Sequence, residues 1–125
     1  MSKVTQEDVE IFANSNVSQE SKEITAKNIN KGRSLEDAFD SPYGKILTKD
    51  VDAVLMESLG KIMQFKHDPE KSIEQNYDNI RELLLEHSTA LKVKSRWEAI
   101  LRTKESSLNK IGHISSQIKQ GRNGG

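Results

Sequence analysis

The chain has 125 residues, of which 30% are charged, 34% hydrophobic and 5% aromatic, and it contains no cysteine. This length fits a single domain, and the hydrophobic fraction allows only a modest core. The lack of cysteine excludes disulfide scaffolds, zinc ribbons, iron–sulfur ligation and thiol catalysis. Because no apolar run has bilayer-spanning length and no secretory signal is present, we expect a cytoplasmic protein without a membrane span.

Acidic and basic side chains are equal in number, at 19 each, but they are unevenly distributed along the chain. The net charge is −2 over residues 1–47, −4 over residues 48–91 and +6 over residues 92–125. An acidic middle followed by a basic end favours attraction within the chain, between chains or to an external polyanion.

Residues 1–47 are predominantly polar, and their apolar residues are too scattered to define a helical stripe. Helix-capping patterns occur at Thr5-Gln6-Glu7-Asp8 and at Ser34-Leu35-Glu36-Asp37, and Asp40-Ser41-Pro42-Tyr43-Gly44 is a turn signal. We therefore predict a flexible polar arm over residues 1–47, with short helical turns, of the kind that folds on a partner.

Regular helical periodicity begins at Thr48. From there to residue 66 the apolar residues recur at spacings of three and four, which is typical of one helical face. Asp68-Pro69 ends this helix and begins the next, because the residue before proline avoids the α region and proline suits the first helical turn. The second helix, over residues 69–91, carries a narrow apolar stripe formed by Ile73, Tyr77, Ile80, Leu84 and Leu91.

Beyond residue 91 the apolar positions move to nearly the opposite side of the helical wheel, although no glycine or proline interrupts residues 70–111. Either the chain turns near residues 88–95, so that both stripes face one core, or one helix of about 50 residues buries its two halves against different partners. Ser95-Arg96-Trp97-Glu98 has the form of a capping box and favours the turn. The turn predicts a third helix over residues 95–119.

The predicted fold class is all-α, either an antiparallel helical bundle or a long helical hairpin of about three helices. Its helical domain spans residues 48–119, between the flexible N-terminal arm and a disordered tail at 120–125. No segment shows the period-2 alternation of a strand. About 70 ordered residues with few large apolar side chains make a marginal monomer, which favours a homo-oligomer.

No arrangement of residues indicates catalysis, a cofactor or a metal site. The three histidines, His67, His87 and His113, lie 20 and 26 residues apart and form no metal-ligand spacing. No glycine-rich phosphate loop is present, and the acidic residues alternate with lysine and arginine on solvated helix faces. We therefore predict a protein that is not an enzyme and that needs no cofactor.

The leading hypothesis is a helical protein–protein interaction module, such as an adaptor, scaffold or assembly subunit, that oligomerises or docks a partner through amphipathic helices. The predicted partner-binding residues are the apolar stripe of the third helix: Trp97, Ile100, Leu101, Leu108, Ile111 and Ile118. The alternative is a nucleic-acid accessory protein that uses the basic C-terminal helix. Its predicted phosphate-binding residues are Lys92, Lys94, Arg96, Arg102, Lys104 and Lys110.

A weaker alternative comes from the layout of residues 34–118, in which Ser34-Leu35-Glu36-Asp37 is followed by two helices joined at Asp68-Pro69. This layout resembles that of the small assembly subunits of bacterial secretion rods and needles. The resemblance implies a loose polar arm, a helical hairpin and a role as a subunit of a secretion or phage-type apparatus. The high charge and the basic extension past Leu108 depart from that pattern.

Overall fold

The computed structural model of the protein describes residues 4–123, and this part of the chain contains four α-helices and no strand. The helices are α1 (Gln6–Ala13), α2 (Gln19–Asp40), α3 (Pro42–Met63) and α4 (Ile73–Asn123). The all-α class is therefore confirmed, with four helices where about three were predicted. None of these helices is both long enough and apolar enough to cross a membrane.

The segment predicted as a flexible arm contains α1, α2 and the start of α3. A capping box begins α1, in which the Thr5 side chain accepts from the backbone of Asp8 and the Asp8 side chain accepts from the backbone of Thr5. The helices order because Phe12 and Ile29 are buried against Ile111. The sequence did not reveal this because the contact joins residues that are far apart in the chain. Residues 1–3 of the predicted arm lie outside the described residues.

A sharp junction joins α2 to α3, so that α3 begins at Pro42 and not at Thr48. The Ser41 hydroxyl accepts a hydrogen bond from the Gly44 amide at 3.0 Å and caps α3. Gly44 is required here because a Cβ atom at this position would lie 1.7 Å from the Ala38 carbonyl oxygen. The turn signal was correct, but it separates two helices of 22 residues each.

The loop between α3 and α4 contains Asp68-Pro69, as the sequence predicted, but α4 begins at Ile73. The buried Asn76 side chain fixes this loop: it accepts from the Asp68 amide at 2.8 Å and donates to the Asp68 carbonyl at 3.0 Å. Two helices joined through this loop agree with the layout of the secretion subunits. The loose arm of that layout is replaced by α1 and α2.

The predicted turn at residues 88–95 is wrong, because α4 is one helix of 51 residues. Its buried and half-buried residues include an uninterrupted series with alternating steps of four and three residues, which we call the α4 seam. The α4 seam consists of Asn76, Ile80, Leu83, His87, Ala90, Lys94, Trp97, Leu101, Lys104, Leu108, Ile111, Ser115 and Ile118. Steps of this kind keep one side of a helix against its neighbours. The packed side therefore does not change near residue 91.

Two compact units divide the chain. The terminal unit comprises Met1–Asp37 and Ala99–Gly125, and the central unit comprises Ala38–Glu98. Within the terminal unit, α1 and α2 pack on the later part of α4. Within the central unit, α3 packs on the earlier part of α4.

Candidate interaction surface

Two contacts show that α3 and the start of α4 are antiparallel within the central unit. Asp52 pairs with Lys94 at 2.8 Å, and the Ser58 hydroxyl lies 2.9 Å from Nδ1 of His87. Later residues of α3 therefore meet earlier residues of α4. The hydrogen bond to Asp52 raises the pKa of Lys94 above its ordinary value. At the other end, the ring of Phe39 meets that of Trp97 edge-on at 5.1 Å.

The fully buried residues of the central unit are small or polar. They are Gly44, Ser58, Asn76 and Ala90, and Ser58 is only 1% exposed. The buried and half-buried positions of α3 include a series with the same alternating steps as the α4 seam, and we call this series the α3 seam. The α3 seam consists of Gly44, Thr48, Val51, Leu55, Ser58 and Ile62. Small seam residues let two helices approach closely, and they leave little room for large apolar side chains.

Some large apolar side chains of the central unit are half-buried in the two seams, and many others are exposed. Of the thirteen large hydrophobic residues that are exposed among the described residues, eleven belong to this unit. Six of them directly follow a seam position, and the seventh, Ile73, lies about one helical turn before Tyr77; we call these seven the apolar face. The apolar face consists of Met56, Leu59, Met63, Ile73, Tyr77, Leu84 and Leu91, with exposures between 42% and 81%.

The seven residues share one side of the helix pair for a geometric reason. One step along an α-helix turns the side chain by about 100°. A residue that follows a seam position is therefore rotated out of the contact, always in the same sense. Two antiparallel helices are related by a rotation about an axis perpendicular to both, so equal rotations in both helices expose side chains on the same side. The apolar face is thus a continuous surface built from α3 and α4.

The terminal unit buries its large apolar residues. Phe12, Ile29 and Ile111 are between 4% and 6% exposed, and Val4, Val17, Leu108 and Ile114 pack against them. Beside Phe12, Ile29, Leu108 and Ile111, an open groove of about 410 Å³ separates α1, α2 and α4. In the central unit an open groove of about 480 Å³ lies between Val51, Val54 and Ala90. Neither groove gathers groups that indicate a specific small ligand.

A polar cluster closes the terminal unit. The Asp8 carboxylate accepts hydrogen bonds from the Ser115 hydroxyl at 2.6 Å, the Lys119 ammonium at 3.0 Å and the Thr5 amide at 3.0 Å. These bonds, that from Ser115 above all, lower the pKa of Asp8 well below its ordinary value. The bond to Asp8 raises the pKa of Lys119. The cluster therefore holds α1 against α4 with both groups charged at neutral pH.

The predicted partner-binding residues lie mostly against the protein's own helices. Ile111 is 4% exposed in the terminal core, where Leu108 packs against it. Trp97 contacts Phe39 in the central unit. Ile100, Leu101 and Ile118 are half-buried. Partner binding by these residues stays a prediction, and the largest exposed apolar surface lies elsewhere.

The six predicted phosphate-binding residues divide into two groups. Three of them contact side chains of the protein itself: Lys94 pairs with Asp52, Lys104 with Glu36, and Lys110 with the Ser21 hydroxyl. The other three are exposed: Lys92, Arg96 and Arg102. Phosphate binding by them stays a prediction.

Within residues 4–123, one serine side chain, that of Ser58, is hydrogen-bonded to a histidine, His87. The geometry of this pair is that of a structural contact and not of a nucleophile and its base. The Ser58 hydroxyl also lies 2.6 Å from the carbonyl of Val54 in its own helix, and the residue is 1% exposed. A buried hydroxyl held in this way cannot reach a substrate carbonyl. No group of three or more potential metal ligands occurs within the described part of the chain.

Sequence reasoning missed the outward orientation of the apolar face. It found the stripe of Ile73, Tyr77, Leu84 and Leu91 but left open whether this stripe faces a core of the chain or a partner. A signal was present in the sequence: the positions directly before these residues repeat with the same seven-residue period, at Asn76, Leu83 and Ala90. Because asparagine and alanine occupy two of these three positions, the repeat does not form an apolar stripe and the packed side is not evident from the sequence.

Comparisons of the chain with protein-family models, with curated proteins and with solved structures find no match. The functional argument therefore rests on the chain's own residues and contacts.

Proposed function

We propose that this protein is a non-enzymatic helical interaction module that docks a helical partner on the apolar face of its central unit. The observation that carries the proposal is the concentration of eleven of thirteen exposed large hydrophobic residues in the central unit. An adaptor, a scaffold or an assembly subunit would each use such a surface. We place this activity in the cytoplasm, in line with the sequence.

The size of the surface supports docking. The exposed fractions of its seven residues together equal about four fully exposed residues, or on the order of 800 Å² at about 200 Å² for a large side chain. The largest apolar patch on a typical monomer measures about 300–600 Å². A partner helix would remove this excess from water.

The composition of the surface also supports docking by a helix. Methionine, tyrosine and leucine are adaptable or amphipathic side chains that are frequent where helices bind in grooves. On α4 the exposed residues alternate with Ile80 and His87, two half-buried residues of the α4 seam that border the apolar face, to give the steps 73, 77, 80, 84, 87 and 91. These alternating steps of four and three are the repeat that a second helix matches in a coiled coil.

The test combines light scattering after size exclusion, at low and high salt, with binding of the hydrophobic dye 1-anilinonaphthalene-8-sulfonate. We expect either an oligomer or a monomer that binds the dye at the apolar face. Leu84→Asp should abolish the oligomer or the dye signal, and Leu85→Asp should leave it intact. The adjacent Leu85 is the matched control because it is 55% exposed, against 50% for Leu84, and lies outside the face.

Two outcomes would contradict the proposal. One is a compact monomer that binds no dye at any concentration. The other is a monomer whose mass changes only when DNA or RNA is added at low salt, which would favour the nucleic-acid alternative through Lys92, Arg96 and Arg102.

A further inference from the structure

We infer that the occupant of the apolar face is a second copy of this chain, whose own apolar face packs against it in a closed two-fold dimer. The inference rests on the proposed function and deepens it by naming the partner. Three properties of the surface point to self-association: its area, its charge and its spacing.

The area is that of a dimer interface. A specific interface of standard size buries about 800 Å² on each partner. The exposed fractions of the apolar face amount to a surface of that order.

The charge pattern permits like surfaces to meet. On α4 the apolar face begins at Ile73, and the positions that follow the α4 seam from there to Leu91 are Tyr77, Arg81, Leu84, Ser88 and Leu91, with one charge among them. In α3, Met56, Leu59 and Met63 hold the corresponding positions near the loop, whereas Lys45, Lys49 and Asp52 hold those at the start of the helix. The face lacks the cluster of one charge sign that would select an oppositely charged partner. Since the net charge of the chain is zero, two copies also approach without net repulsion.

The spacing on α4 fits a copy of the same helix. The steps between residues 73, 77, 80, 84, 87 and 91 read four, three, four, three, four, and they read the same in reverse. An antiparallel second copy therefore places Ile73 opposite Leu91 of the other chain and Ile80 opposite Leu84. In the antiparallel arrangement, each pair of residues that face each other across the two copies includes at least one aliphatic or aromatic side chain.

A two-fold arrangement also predicts where association stops. An isologous interface uses the same patch on both subunits, so two copies satisfy each other and no free face remains. We therefore expect dimers and no growth into filaments or larger assemblies.

The experiment measures mass by light scattering and sedimentation equilibrium from about 1 to 100 µM protein, since interfaces of standard size span affinities of micromolar and tighter. We expect a mass of two chains for the wild type. Leu84→Asp should weaken dimerisation by at least about 30-fold, the loss associated with one central interface residue. Leu85→Asp should dimerise like the wild type. Circular dichroism establishes that both variants are helical, and Leu84→Ser replaces Leu84→Asp if the latter does not fold.

Orientation is tested with single cysteines, which are informative because the chain has none of its own. Ile73→Cys and Leu91→Cys should form a disulfide-linked dimer only when the two variants are mixed. Crosslinking of each variant with itself, and none in the mixture, would overturn the antiparallel arrangement.

A wild-type monomer at every concentration would overturn the second-copy inference. If that monomer bound the dye through Leu84, the proposed function would survive and the partner would be a different helix. Equal weakening by Leu84→Asp and Leu85→Asp would show that the dimer does not use the apolar face.

Discussion

The two units of this protein use their apolar residues in opposite ways. In the terminal unit, Phe12, Ile29 and Ile111 are buried. In the central unit the fully buried residues are Gly44, Ser58, Asn76 and Ala90, and eleven large apolar side chains are exposed. Both units use stretches of α4 with the same alternating seam. A repeat of apolar residues alone therefore does not identify the packed side of a helix. Polar residues also belong to that side when they have partners in the protein.

The polar residues of the α4 seam have such partners. Asn76 bonds to the loop at Asp68, His87 to Ser58, Lys94 to Asp52, and Ser115 to Asp8. Each contact satisfies a polar group that would otherwise be costly to bury. Polar residues with partners therefore complete the α4 seam. In the central unit Tyr77, Leu84 and Leu91 of the same helix remain exposed on the apolar face.

The largest effect on stability should come from the terminal core. Phe12→Ala should lower the free energy of unfolding by about 3–5 kcal/mol, because it removes a buried ring and leaves a cavity. Urea denaturation followed by circular dichroism measures this loss. Val9→Ala in the same helix is the control, since Val9 is 38% exposed. Similar losses for the two variants would contradict a closed core around Phe12.

The central unit should respond most strongly at the junction of α2 and α3. Gly44→Ala should cost about 3 kcal/mol, because its Cβ atom would meet the backbone at Ala38 and the chain itself must shift. Gly60→Ala is the matched control in the same helix, where a Cβ atom meets nothing within 4 Å. It should stabilise the helix by up to about 1 kcal/mol. Thermal unfolding of both variants separates these expectations, and a loss at Gly60 equal to that at Gly44 would contradict them.

A smaller effect should depend on pH. Since the folded-state pKa of Asp8 is lowered, its contribution to stability is present above the unfolded-state pKa of about 3.9 and is lost as the pH falls below that value. The raised pKa of Lys119 has the opposite consequence: its contribution is present at neutral pH and is lost above about pH 10.4. Melting temperatures measured from pH 2 to pH 7 should fall less steeply on acidification in Asp8→Asn than in the wild type. An unchanged slope would show that Asp8 does not contribute.

The smallest effect on unfolding should come from the apolar face. At a concentration where the protein is monomeric, Leu84→Ala should change the free energy of unfolding by less than about 1 kcal/mol, because half of this side chain is already exposed to water. The same measurement at a concentration where the protein is dimeric should show a larger loss, since binding adds to apparent stability. Equal losses of unfolding free energy at the two concentrations would show that Leu84 does not contribute to association, and this would contradict the contrast between the two units.

Much of the fold could be predicted from the sequence, and the physical reasons for the failures are specific. The helical class and the Asp68-Pro69 loop follow from local patterns, and the structure contains both. The continuity of α4 and the burial of α1 and α2 depend on contacts between distant residues, such as Asp8 with Ser115. The apolar stripe of residues 73–91 was visible, but its exposure was not, because that depends on the small residues buried between α3 and α4.

The contact between Asp8 and Ser115 spans 107 residues, and this has a consequence for the order in which the chain can fold during synthesis. Translation proceeds from the N-terminus, and α1 and α2 emerge long before Ile111 and Ser115 exist. The helix pair of residues 38–98 is complete earlier, while the segment that closes the terminal unit is still unmade. During synthesis α1 and α2 therefore have no core to join until the last part of α4 is made, and the terminal unit is the later of the two units to receive all of its residues.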